Sequence, residues 1–77
     1  MRINILETSI NGSKLEEAAQ NFEDREAMMP YLIMNKRTFG ELEKKSVILH
    51  NDKGVYEFCG WNILINDNLQ FGDVDIR

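Results

Sequence analysis

Near the start of the chain Ile3 and Ile5 alternate with Arg2 and Asn4, the period-two pattern of a strand with one buried face. The period then changes. Asn11-Gly12 predicts a turn, because both residues tolerate positive φ. Ser13 followed by Glu16 reads as a capping box, in which hydroxyl and carboxylate each satisfy an orphan amide at a helix start. Leu15, Ala18, Ala19, Phe22 and Met29 recur at helical spacing, with Glu16, Glu17, Glu23 and Asp24 on the opposite face. Pro30 lacks a backbone N–H, so this helix ends at or before Met29. Tyr31 to Met34 is an apolar run too short for a helix and suited to a covered strand. Asn35 then caps a second, shorter helix reaching about Lys45, with Phe39 and Leu42 turned inward. Thr38 and Glu41 offer a second capping box, and Gly40 inside the helix costs about 1 kcal/mol relative to alanine.

The last third alternates again. Val47 to His50 predicts a strand, and Asn51-Asp52-Lys53-Gly54 a hairpin connection with Gly54 in the left-handed position. The next strand changes phase: Tyr56 and Phe58 are apolar at even positions, whereas Cys59, Trp61, Ile63 and Ile65 are apolar at odd ones. A one-residue slip turns every side chain over, so a bulge is expected between the halves, at Gly60. Asn66-Asp67-Asn68 makes another turn, and Val74 and Ile76 flank Asp75 in a terminal strand. The order is β-α-β-α-β-β-β. It predicts a single α+β domain over residues 1–77, a small, largely antiparallel sheet with two helices on one face.

Composition limits what such a domain can be. A chain of 77 residues, 43% hydrophobic and 29% charged, suits an ordered domain with a small core. Domains of this length net only about 3–5 kcal/mol from one core. Cys59 and His50 are the single cysteine and the single histidine, so neither an internal disulfide nor a His/Cys zinc cluster can supply the rest. Self-association is the remaining support, and a homo-oligomer is expected. No signal-peptide core and no apolar run of about 20 residues is visible, which points to a cytoplasmic protein without a membrane partner. The net charge of −4 is uneven: residues 1–30 carry −3, residues 31–46 carry +2, and residues 47–77 carry −3. An acidic chain is repelled by phosphate backbones, so direct nucleic-acid binding is not expected.

Each candidate for chemistry has a plainer alternative. Lys36-Arg37-Thr38 stands at a helix entrance, yet the turn at Asn35 lacks the glycines through which amides approach a phosphate. Arg37, Glu41 and Lys45 lie four residues apart, which predicts pairing within one solvated helix face. Cys59 would need a base to become a nucleophile, and His50 is the sole candidate. A small core residue is the simpler role for this cysteine, and a surface site beside a turn for the histidine. Asp67, Asp73 and Asp75 could converge on a divalent cation, or they could block edge pairing of a terminal strand. No catalytic, cofactor-binding or metal-binding residue is assigned. Tyr56, Phe58, Trp61 and Phe71 form the largest aromatic concentration, more than one face of so small a sheet accommodates, and Ile63 continues the strand of Trp61. They are the expected protein-interface residues.

Tyr31-Leu32-Ile33-Met34-Asn35, with Thr38-Phe39 and Leu42 after it, resembles the strand–Asn–helix unit of tailed-bacteriophage major capsid proteins. Phe58 to Ile65, the turn Asn66 to Leu69, and Gly72-Asp73-Val74 are similar to strands and a turn that follow in that family. The resemblance covers about residues 31–77 and departs from the pattern at Lys36, Asn62 and Gln70, where proline is usual. It implies a small phage or prophage protein with a related unit rather than a shell subunit, and it carries over no catalytic residue. The expected function is therefore non-enzymatic: binding to itself, or to another phage or host protein, without a cofactor. The alternative from a different class is an acidic inhibitor that mimics nucleic acid, the carboxylates of the first helix standing in for phosphates on a host enzyme or defence complex.

Overall fold

Two asparagines start the two helices. In the computed structural model, which describes residues 1–46 and 48–77, Asn11 caps α1 (Gly12–Glu26) by accepting the Lys14 amide at 3.1 Å. Asn35 caps α2 (Lys36–Lys45) by accepting the Thr38 amide at 2.7 Å. The Ser13–Glu16 box expected at the first helix is not used. Asparagine is as good a cap as serine, and Asn11 is further held by its side-chain amide on Glu7 and its backbone amide on the Ile5 carbonyl. Ala27 takes left-handed φ of 54° and ends α1 ahead of Pro30. Met28 and Met29 consequently fall outside the helix and are exposed, so Met29 does not extend the buried stripe.

The strands among the described residues are β1 (Arg2–Asn4), β2 (Tyr31–Met34), β3 (Ile48–His50), β4 (Tyr56–Phe58), β5 (Trp61–Ile65) and β6 (Asp73–Ile76). Val47, expected at the start of β3, lies outside the described residues. The six form one sheet in the order β1-β6-β2-β5-β4-β3. β2 runs parallel to β5, and the other neighbours are antiparallel. The α+β class and the alternating order read from the sequence hold.

Two local expectations change. The phase shift between Phe58 and Trp61 is not a bulge within one strand. Phe58 pairs directly with Trp61, leaving Cys59 and Gly60 as a two-residue turn with φ of 52° and 87°. Positive φ at both central residues is the type I′ signature, whose twist matches that of the strands it joins. Directly paired residues share a face, which is why the apolar parity switches from even to odd. Second, the terminal strand is not at an edge. β6 lies between β1 and β2, so Asp73 and Asp75 cannot act as edge blockers.

The core lies between the sheet and the helices. Leu32 pairs with Ile63 on one side and Ile76 on the other, and Met34 pairs with Val74, all buried on one face. Leu15 and Ala19 of α1 and Leu42 of α2 join the same cluster, with Phe22 and Phe39 packed at its margin. The Trp61 indole N–H reaches the Glu23 carboxylate at 3.3 Å, tying α1 to β5.

The junction from Asn35 to Thr38 is bolted to the loop before β6. The Asn35 side-chain amide donates to the Leu69 carbonyl, and the Lys36 amide to Asp67. Fully buried Thr38 accepts the Gly72 amide at 2.9 Å through its hydroxyl, rather than serving as a cap. Gly72 has φ of 87°, and a Cβ there would come within 2.7 Å of the Leu6 Cβ, so glycine is required.

Candidate functional site

Because side chains alternate along a strand, the register that buries Leu32, Ile63 and Ile76 turns Ile33, Leu64 and Asp75 to the other side of the sheet. Among the described residues no helix lies there. Its centre is apolar: Tyr31 and Ile33 of β2 stand beside Asn62 and Leu64 of β5. Tyr31 is 47% and Leu64 42% exposed, while Ile33 is half-buried. Its flanks are polar, with Arg2, Asn4, Asp73 and Asp75 toward β1 and Glu57 toward β3. Exposed Met29 and buried Pro30 precede β2 at one end of the strands and the hairpin loop Asn51–Val55 stands at the other, and together with Tyr31, Asn62 and Leu64 they line a groove of about 670 Å³.

The charges on this face are largely matched. Asn4 donates to Asp73 at 2.8 Å. Asp75, only 7% exposed, accepts the Arg77 guanidinium at 2.9 Å and lies 3.7 Å from the terminal ammonium of Met1. Asn51 donates to Glu57 at 2.9 Å. The three carboxylates raised as a cation site thus take separate protein partners, Asp67 being bound to the Lys36 amide. On α1 the balance differs: Lys14 and Arg25 stand against Glu16, Glu17, Glu23, Asp24 and Glu26, a net −3.

The expected interface residues occupy the other side of the sheet. Phe58, Trp61 and Ile63 are at most 4% exposed and belong to the core. The aromatic surplus is taken up by the helices, because the turn at Cys59-Gly60 folds both halves onto the covered face. Tyr56 remains 37% exposed at the rim, between Phe39 at 4.8 Å and a stacked His50 at 4.7 Å, centroid to centroid. Phe71 is half-buried beneath the Arg37 guanidinium, 4.2 Å from its ring centre.

Cys59 and His50 are not brought together. His50 pairs with Tyr56, at the opposite end of β4 from Cys59. The exposed thiol faces a second groove, about 510 Å³, lined by Glu16, Lys45 and Ser46 among others. Partial burial, and then the Glu16 carboxylate, push its pKa above the ordinary value, the reverse of what activates a nucleophile. The expected Arg37–Glu41–Lys45 ladder also does not form. Glu41 pairs with Lys44 at 3.2 Å, Arg37 covers Phe71, and Lys45 reaches the Ile10 carbonyl at 3.4 Å.

The open face escaped the sequence reading because Tyr31 to Met34 is apolar at every position, so the run does not reveal which residues are covered. The one available signal was that Leu64 and Asn62 fall out of phase with the odd-numbered apolar set of β5. Among the described residues no helix is long and apolar enough to cross a membrane. Compared with known proteins, the chain matches no family model, no curated protein and no solved structure.

Proposed function

We propose that this is a non-enzymatic, phage-type protein of the bacterial cytoplasm that acts by binding protein, itself included. The observation that carries this reading is the uncovered sheet face, with Tyr31, Ile33 and Leu64 at its centre and matched polar groups around them. An apolar centre with a polar rim is the anatomy of a protein contact. The phage lineage rests on the sequence resemblance over about residues 31–77 alone. Light scattering at two concentrations tests the reading: a defined oligomer is expected.

A second reading keeps the acidic α1 as a nucleic-acid mimic. It is favoured by the way the Gln20 amide donates to both Glu23 and Asp24 at 3.0 Å, holding two carboxylates side by side on α1. A strict monomer whose binding to a host protein weakens steeply with added salt is the outcome that would select it.

A further inference from the structure

Resting on the protein-contact reading, we infer that the occupant of the open face is a second copy of this chain, packed sheet to sheet. Three observations favour this occupant. The first is charge. Side chains on the face and its groove, Arg2, Lys53 and Arg77 against Asp52, Glu57, Asp73 and Asp75, sum to −1, whereas α1 alone carries −3. Two acidic copies that meet here bring less like charge together than two that meet through α1, and they hold those helices outward. A basic partner would be drawn to α1, and an anionic surface finds no basic patch on this face.

The second is shape. The face is a row of adjacent twisted strands whose side chains alternate in and out. A sheet of the same hand and twist stacks on it with strands about 30° apart, letting the two rows interdigitate. A second copy supplies that surface by construction, with the same Tyr31–Ile33–Leu64 centre, as a two-fold contact requires.

The third is area. Five strand spacings of about 4.8 Å make the face roughly 24 Å wide. Burying about 600 Å² per copy, the lower bound for a specific interface, would use only about an eighth of the 4863 Å² that the chain exposes. The expected product is a reversible dimer rather than an obligate one.

Sedimentation equilibrium from about 10 μM to about 1 mM tests the inference on three folded proteins: the native chain, Leu64→Lys on the open face, and Glu17→Lys on the outer face of α1. The native chain should dimerise. Leu64→Lys, which sets two like charges near the two-fold axis, should weaken the dimer at least about 30-fold, and Glu17→Lys should not weaken it. A defined oligomer that survives Leu64→Lys overturns the docking surface and leaves the protein-contact reading standing. A native chain that stays monomeric at about 1 mM overturns self-association altogether. Should Leu64→Lys not fold, Leu64→Cys in a Cys59→Ala background replaces it. Rapid linkage of two chains by a short bismaleimide supports the face-to-face dimer, and no linkage at concentrations where the oligomer forms overturns it.

Discussion

On the covered side of the sheet Leu32 stands beside Ile63 and Ile76, and all three are buried. One residue further along the same strands, Ile33 stands beside Leu64 and Asp75, on the side that no helix reaches. The backbone bonds are shared by both rows, so the difference lies only in what rests on them. On one side Leu15, Ala19 and Leu42 complete an apolar cluster that includes Trp61 and Phe58. On the other an apolar strip of three residues is ringed by Asn4–Asp73, Asp75–Arg77 and Asn51–Glu57 pairs. A chain this small has two helices to spend, and both lie on one side. The covered face therefore holds the domain together, whereas the open face adds little to the stability of a single chain.

Truncation sharpens that contrast most. Trp61→Ala removes a buried indole from under α1 and should cost about 3–5 kcal/mol, as much as the whole core supplies, so the chain should be largely unfolded in urea titration. Leu64→Ala, on the same strand but the other face, should change the stability of the monomer by less than about 1 kcal/mol. Equal effects from the two would break the assignment of faces.

Gly72→Ala comes next. A side chain there must adopt an unfavourable φ and meet Leu6, and the strain loosens the amide that Thr38 accepts. A loss of about 2–4 kcal/mol in chemical denaturation is expected. Gly40→Ala works in the opposite direction. Its Cβ would enter open space on α2, so the melting temperature should rise in step with a gain of about 0.5–1 kcal/mol.

The smallest effect concerns Cys59. With its thiol pKa raised in the fold, any stability linked to this group is fully present below the unfolded pKa and declines as pH rises through the folded one. Alkylation by iodoacetamide near pH 8 should be slower than in the urea-unfolded chain. Glu16→Gln should speed it in the folded state by removing the nearby negative charge. Reaction faster than in the unfolded chain would revive a nucleophilic role for the thiol.

Much of this architecture is local and was therefore open to reading. Helical spacing from Leu15 to Phe22, the cap at Asn35, the hairpin signal at Gly54 and the alternation in the last third each depend on residues within a few positions of one another. They led to the α+β class, the order of the elements and helices on one face of the sheet. The reading erred where two local solutions compete equally. Asn11 and Ser13 are both good caps, and only the anchoring of Asn11 by Glu7 and Ile5 decided between them. A phase change can be met by a bulge or by a reversal, and the type I′ turn at Cys59-Gly60 shows it was met by reversal.

What the residues determined by themselves was thus the inventory: which segments are helical or extended, which carry charge, and that one cysteine and one histidine leave little room for metal or disulfide chemistry. Tertiary structure alone decided that β6 inserts between β1 and β2 and that β2 runs parallel to β5. Those pairings join residues 30 or more positions apart, which no local period encodes. They also decided which half of each apolar strand the helices cover, and so moved the candidate surface from Phe58, Trp61 and Ile63 to Tyr31, Ile33 and Leu64 across the sheet.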